Sequence, residues 1–340
     1  MTATQLLQAN PALLITLVVV LGLLVGSFLN VVIHRLPIMM ERDWRRHCEE
    51  LDAVTATVHA TAGGAADIDA QPFTTAPGAQ YAQPTASDIG IESSFAATSA
   101  PQEPEFNLLK PRSRCPACQV PIRAWENIPI VSYLLLRGRC AQCGVRISMR
   151  YPVVELLTGV LSAFVAWRFG WSWELAAALL FTWSLIALSG IDIDHQLLPD
   201  SITLPLLWLG LLASLAHGSD TNFSIPVDPR SSIIGAAVGY LSLWAVFHLF
   251  RLLTGKEGMG YGDFKLFAAF GAWFGWQMLL LIILLAAATG AMVGIALLLL
   301  KRHGRDVPIP FGPYLAAAGW IALLWGPQVI DRYLHLSGLH

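Results

Sequence analysis

Charged residues are scarce in this chain of 340 residues. Asp, Glu, Lys and Arg make up 13% of it, and hydrophobic residues make up 55%. A soluble domain carries about a quarter charged residues. The deficit is uneven, because most of the charge falls between residues 35 and 150 and the remainder consists of long apolar runs. This contrast excludes a single water-soluble domain and indicates a lipid-embedded body with one large aqueous segment.

Lys and Arg are also absent from the first ten residues. A cleaved signal peptide would need a basic N-terminal region and a cleavage site of small residues. Instead, residues 12–33 form an uncharged run that ends at His34 and Arg35. Such a run is long enough to cross a bilayer core of about 30 Å. We therefore expect a retained membrane anchor.

Seven further apolar runs predict more membrane spans, and the run at 264–276 is short for a full crossing. The predicted fold is an all-α polytopic membrane helix bundle of about eight transmembrane spans with a zinc-knuckle cytoplasmic loop. The seven runs cover residues 152–167, 175–191, 202–217, 233–252, 264–276, 278–300 and 314–334.

The distribution of Lys and Arg predicts the orientation. With the N-terminus outside, the segments 34–151, 251–265 and 301–313 face the cytoplasm and hold 18 of the 21 Lys and Arg residues. Cytoplasmic loops of membrane proteins carry such an excess of basic residues. We therefore expect the N-terminus outside and the large aqueous segment in the cytoplasm.

The aqueous segment has two parts. Residues 47–109 contain no Lys or Arg and are rich in Ala, Thr, Pro, Gln and Gly, a composition that cannot bury enough apolar surface to offset the entropy of ordering. We expect residues 41–109 to be a disordered insertion without chemistry of its own, with Cys48 a free thiol. Four predicted parts follow, namely 1–40 (first span), 41–109 (insertion), 110–150 (metal-binding segment) and 151–340 (seven-span bundle).

The chain has only five cysteines, and four of them form two Cys-x-x-Cys pairs, Cys115 with Cys118 and Cys140 with Cys143. Each pair can supply two thiolates from one tight turn, as in a tetrahedral Zn²⁺ knuckle. Disulfides are the alternative, but the orientation places this loop in a reducing compartment. We therefore expect Zn²⁺ in a structural role, since four cysteines leave no open coordination position for catalysis.

Carboxylates at the ends of membrane spans suggest a catalytic site. One acidic cluster holds Asp192, Asp194 and Asp200, and a second holds Asp263. The predicted topology brings both clusters to the cytoplasmic face. Two carboxylates that share a proton can activate a water, and we favour Asp192 with Asp263. Helix capping is the alternative for Asp200 and Asp263, and the residues alone do not choose among 192, 194 and 200.

Four motifs stand in order along nearly the whole chain outside 41–109. They are GSFLNVVIHRLP at 26–37, the two cysteine pairs around ENIP at 126–129, the stretch from Asp192 to Asp200, and Gly-Tyr-Gly-Asp at 260–263. A lone Gly-x-Gly-Asp is weak evidence, but the four motifs in this order are specific. Together they resemble the motifs of the type IV prepilin peptidase family.

The resemblance implies an enzyme of the bacterial inner membrane, with its active site facing the cytoplasm, that serves type IV pili or type II secretion. It would cleave prepilins and pseudopilins after a glycine and then N-methylate the new N-terminal residue with S-adenosylmethionine. Asp192 and Asp263 would be catalytic. The partners would be these precursors and membrane lipid, with no nucleic acid. The insertion at 41–109 departs from the family's usual pattern.

Methyl transfer has no other support in the residues, because no glycine-rich loop follows a strand. Alternative functions are a presenilin-like intramembrane aspartyl protease, which also uses Gly-x-Gly-Asp, a proton-coupled transporter and a non-catalytic membrane assembly factor. Transporters often contain internal repeats, and the sequence has none.

Polar and small residues inside the first two spans have two interpretations. Gly22, Gly26, Asn30 and His34 recur every four residues, which favours close helix packing with a hydrogen bond from Asn30; lining the active site is the alternative. Glu155 either benefits from its place near a helix N-terminus or contacts a substrate or cofactor.

Overall fold

The computed structural model describes residues 2–65, 106–115, 117–123, 126, 128–215, 227–256, 258–300 and 310–337. Within these residues all regular structure is helical, apart from two isolated β-bridges. The helices are α1 (Ala3–Ala9), α2 (Pro11–Ala65), α3 (Val131–Leu135), α4 (Arg150–Phe169), α5 (Trp173–His195), α6 (Asp200–Ser214), α7 (Pro229–Thr254), α8 (Tyr261–Phe274), α9 (Trp276–Leu299) and α10 (Gly312–Ser337).

The predicted all-α membrane fold is confirmed, but the count of eight spans is not. Each predicted span falls on a helix. Five helices, α2, α4, α5, α7 and α9, are long and apolar enough to cross a membrane. A full crossing needs roughly 20 residues, whereas α6 has 15 and α8 has 14. The number of crossings therefore stays a prediction.

Helix α8 lies at the centre of the bundle, and nearly all of its residues from Asp263 onward are buried. Its aromatic side chains pack around Phe181 of α5, whose ring centroid lies 4.9 Å from that of Trp273 and 5.4 Å from that of Phe274. The indole N–H of Trp273 donates to the carbonyl of Leu206 in α6 at 2.8 Å. Because α8 packs against other helices and not against lipid, it need not match the bilayer thickness.

Glycines allow the closest helix contacts. Gly235 of α7 and Gly271 of α8 lie backbone to backbone, with no room for a Cβ at either position. In the first span, a Cβ at Gly26 would lie 2.8 Å from the Cα of Glu155 in α4, and the amide of Asn30 donates to the carbonyl of Tyr151 at 3.1 Å. The packing interpretation therefore holds for Gly26 and Asn30, whereas His34 is exposed.

The chain divides into two compact units, and the smaller one covers Ile38–Pro111. Residues 41–65 were predicted to be disordered, but they are helical and belong to α2. In this unit Arg45 pairs with Glu41 at 3.1 Å, and the guanidinium of Arg42 lies 4.4 Å from the centre of the Phe106 ring. Helix-forming residues at 41–51 offset the low hydrophobicity there. Residues 66–105 lie outside the described part of the chain.

Candidate functional site

The three acidic residues of the first cluster have three different environments. Asp192 is on the last turn of α5 and is buried, with 6% exposure. Asp194, two residues later, pairs with Arg150 of α4 at 2.5 Å. Asp200 opens α6 and pairs with Lys265 of α8 at 2.6 Å. The neighbours Asp194 and Asp200 thus have cationic partners, and Asp192 is the buried member of the cluster.

Asp263 lies in the first turn of α8 and is buried, with 7% exposure. It is not the N-cap of this helix, because Gly260 takes that position. The capping alternative for Asp200 is also wrong, since Pro199 precedes α6 as its N-cap. The residue before Asp263, Gly262, packs against Leu198, and Leu198 also lies beside Gly312, whose N–H donates to Asp192. The structure therefore brings the two predicted aspartates together.

A small junction of three chain segments holds this pair. Leu198, in the loop after α5, lies against Gly262 of α8, where an added Cβ would be 2.6 Å from the Cβ of Leu198. The same leucine lies beside Gly312, the first residue of α10. The N–H of Gly312 donates to Oδ2 of Asp192 at 2.9 Å. The ends of α5, α8 and α10 therefore meet at the aspartates.

Two buried carboxyl groups this close cannot easily carry two negative charges, so they tend to share one proton. An ionised carboxylate can take a proton from water, and a protonated carboxyl can donate a hydrogen bond to a substrate carbonyl. The arrangement can therefore activate water for hydrolysis. The catalytic role of Asp192 and Asp263 stays a prediction.

The four predicted metal ligands also come together. The sulfur atoms of Cys115, Cys118, Cys140 and Cys143 all lie within 4.8 Å of one another, and Cys115 Sγ is 3.7 Å from Cys143 Sγ. A zinc ion bound by four thiolates at about 2.3 Å places neighbouring sulfurs about 3.8 Å apart. None of these cysteines forms a disulfide. The cluster therefore fits a tetrahedral metal ion.

Two similar turns build the cluster. In the first, the N–H of Gln119 donates to the carbonyl of Cys115 at 2.9 Å, and in the second, the N–H of Gly144 donates to that of Cys140 at 3.0 Å. Backbone N–H groups of Cys118 and Ala117 hold the pKa of the Cys115 thiol at about 6, below its usual 9.0. This turn therefore favours the thiolate, which is the form that binds metals.

Family models match most of the chain. The bacterial peptidase A24 N-terminal domain matches residues 20–169, and the type IV leader peptidase family matches residues 179–295. A prepilin leader peptidase/N-methyltransferase of Stutzerimonas stutzeri is 48% identical over 339 residues, which cover 100% of both chains. The chain belongs to the type IV leader peptidase family.

Two further relatives carry the same name and match along nearly their whole length. Proteins with the same name are 47% identical in Pseudomonas aeruginosa, with 98% of this chain and 97% of the relative covered, and 41% identical in Legionella pneumophila, with 92% of each covered. No solved structure matches the chain. Family membership and the five apolar helices together confirm the prediction that this chain is a membrane protein.

The structure gives Glu155 a definite contact and adds Gly312, a residue that the sequence analysis did not name. Glu155 is buried, and its carboxyl accepts a hydrogen bond from the N–H of Ile130 at 2.8 Å and one from the hydroxyl of Ser27. It therefore ties the metal-binding segment to α2 and α4. Gly312 was missed altogether, and its only sequence signal was a glycine between Phe311 and Pro313 at the start of an apolar run.

Proposed function

We infer that this chain is a prepilin leader peptidase with N-methyltransferase activity, working as an aspartyl endopeptidase. Family membership supports the activity. The observation that carries the chemistry is the buried pair formed by Asp192 and Asp263. No comparable observation favours the transporter or the assembly factor.

In the proposed reaction one carboxylate accepts a proton from water while the water oxygen attacks the scissile carbonyl carbon. The other, protonated carboxyl donates its proton to the carbonyl oxygen, which gives a tetrahedral diol. When the C–N bond breaks, the diol returns a proton to one carboxylate and the first carboxyl protonates the leaving amine. The pair thus ends as it began, with one proton.

The proposed substrates are prepilins and pseudopilins of type IV pili and type II secretion. Such a precursor has a positively charged leader followed by an apolar helix, so its cleavage point rests where the membrane meets the cytoplasm. The excess of Lys and Arg in the segments 34–151, 251–265 and 301–313 supports a cytoplasmic position for the aspartates in the bacterial inner membrane.

Zn²⁺ is the ion we propose for the four-cysteine cluster. The spacing of the sulfur atoms fits a tetrahedral zinc site, and four protein ligands leave no position open for water or substrate. Cys115, Cys118, Cys140 and Cys143 would fold the segment around the ion. The hydrolytic step involves the aspartates alone.

The methyl donor we propose is S-adenosylmethionine, which would supply a methyl group to the amine that cleavage exposes. Family membership supports this activity, and the described residues contain no β-strand that leads into a glycine-rich loop. The binding position we propose lies between the cytoplasmic segment and the helix bundle, and we assign no residue to it.

The dyad is tested by co-expressing a prepilin with single variants and reading the N-terminus of the product by mass spectrometry. We expect Asp192→Asn and Asp263→Asn to lower cleavage by roughly 10⁴-fold or more, because each removes one half of the acid–base pair. The insertion of both variants into the membrane should be normal.

Asp194→Asn and Asp200→Asn are matched controls, because their carboxylates pair with Arg150 and Lys265. These partly exposed ion pairs are worth about 1 kcal/mol or less, so cleavage should stay within about fivefold of wild type. Near-normal processing by Asp192→Asn or Asp263→Asn contradicts the dyad, and a cut inside the apolar helix would instead favour a presenilin-like protease.

A further inference from the structure

Helix α10 begins beside Asp192. Gly312 is its first residue and is buried, and its N–H donates to Oδ2 of Asp192 at 2.9 Å across 120 residues of sequence. The first N–H groups of a helix have no partner within the helix. The Gly312 donor is therefore free to serve the carboxylate.

The carboxylate needs such a donor because of its place in α5. Asp192 is on the last turn, where unpaired carbonyl groups concentrate partial negative charge and disfavour an anion. The start of α10 brings the opposite partial charge, and a hydrogen bond to an ionised carboxylate is about twice as strong as one between neutral groups. Gly312 thus offsets an unfavourable position.

Only glycine fits at this point. A Cβ on residue 312 would lie 2.6 Å from Oδ2 of Asp192 and 3.3 Å from Cδ2 of Leu198. Contacts below 3.0 Å force one partner to move, and the partner here is the carboxylate itself. The close approach of the backbone therefore requires a residue without a side chain.

We propose that Gly312 is a positioning residue of the peptidase, whose N–H holds Oδ2 of Asp192 so that Oδ1 faces the hydrolytic water. The inference rests on the proposed function, because it assumes that Asp192 takes part in hydrolysis. Gly312 lies beyond residue 295, where the match to the peptidase family model ends. The start of α10 is then part of the active site.

The test compares Gly312→Ala with Gly326→Ala in the full-length enzyme in nanodiscs. At Gly326 of the same helix, a Cβ would lie 3.2 Å from the sulfur at the flexible end of Met278 and at an ordinary contact distance of 3.7 Å from the Cβ of Ala322. We expect Gly312→Ala to lower kcat roughly 100-fold, because a displacement of about 1 Å costs that much. KM should stay within about threefold of wild type, and Gly326→Ala should resemble wild type in both constants.

The pH–rate profile separates positioning from a structural role. The N–H favours ionised Asp192, so its loss should move the acidic limb of the kcat profile to higher pH. Loss of folded enzyme would lower the whole profile without moving the limb. Helix α2 also packs here, since Ile33 lies against Gly190 of α5. The charged and titratable groups on the elements around Asp192 are Asp263 and Lys265 on α8, Asp194 and His195 on α5, Arg150 on α4, Asp200 on α6, Tyr314 on α10, and His34 and Arg35 on α2.

A second variant removes only the donor. Glycolic acid in place of Gly312 turns the peptide N–H into an ester oxygen and adds no side chain. We expect a loss of about 10-fold or more in kcat with the same shift of the acidic limb.

A wild-type kcat and an unmoved acidic limb in the ester variant overturn the proposal, whether or not Gly312→Ala folds. That result would leave the dyad intact, because the dyad is tested separately by Asp192→Asn. Full activity in Asp192→Asn would instead refute the proposed function, and the role of Gly312 with it.

Discussion

Glu155 is a buried acidic residue whose two hydrogen-bond partners come from different parts of the chain. It accepts from the backbone of Ile130 at 2.8 Å and from the hydroxyl of Ser27. Ile130 has a positive φ of 58°, which is unusual for a β-branched residue and strained unless its surroundings enforce it. The bond from Ile130 to Glu155 is one such constraint, so this carboxyl fixes the strained turn that enters α3.

We predict that Glu155→Ala loosens this turn, whereas Glu155→Gln keeps it. Alanine leaves the N–H of Ile130 without an acceptor, at a cost of roughly 1–3 kcal/mol, but the amide oxygen of glutamine can still accept the bond. Hydrogen exchange at residues 128–136 should therefore rise about 5- to 150-fold in Glu155→Ala only. Equal protection in all three proteins would contradict this role.

At the residue scale the sequence predicted the identity of the candidate aspartates better than their surroundings. The motifs and the topology suggested Asp192 and Asp263 as a pair. What separates Asp192 from Asp194 and Asp200 is the position of Arg150 and Lys265, and those contacts come from other helices. A pattern along one chain segment carries no such information, so the residues alone left the three open and only the family resemblance singled out Asp192.

The metal-binding segment shows how an element of little regular structure is stabilised. Between residues 110 and 150 the described part of the chain contains only the five-residue helix α3 and two isolated bridges as regular elements. So little structure buries little apolar surface, and a bound metal can supply the missing stability.

We predict about one zinc per purified chain. Cys140→Ser should lose it, because three thiolates cannot complete the site, and Cys48→Ser should keep it, since Cys48 is not one of the four clustered cysteines. Elemental analysis measures the ion. Hydrogen exchange in residues 113–148 should rise in Cys140→Ser, with a smaller effect on leader cleavage than on the exchange of this segment.

Purified wild-type protein without any bound metal would refute the zinc site. Loss of zinc from Cys48→Ser as well would mean that the ion is held elsewhere.

At the element scale, helix type was predictable and helix length was not. Apolar runs located all eight segments in α2 and α4–α10. Hydropathy does not tell whether an apolar face meets lipid or protein, however. Helix α8 can be short because α5, α6 and α7 cover it, and glycines such as Gly235 and Gly271 set how closely the helices approach.

On the scale of the whole molecule, distant parts of the chain converge on one small region. The end of α5, the start of α8 and the start of α10 meet around Asp192, Leu198 and Gly312. Helix dipoles, the close backbone approach at Gly262 and Gly312 and, in the proposed reaction, a proton shared by the two aspartates then act together. The contribution of α10 could not be predicted, because Gly312 lies 120 residues from its partner and belongs to none of the four motifs identified in the sequence.

The most direct test of the account is a cross-link between the two aspartate positions in native membranes. Asp192→Cys/Asp263→Cys, treated with a short bifunctional thiol reagent, should yield a joined peptide by mass spectrometry. Asp194→Cys/Asp263→Cys is the matched control, because residues two apart on a helix point in different directions. We predict abundant linkage for 192 with 263 and little for 194 with 263. Absence of the 192–263 link, or equal linkage in the control, would contradict the proposed dyad.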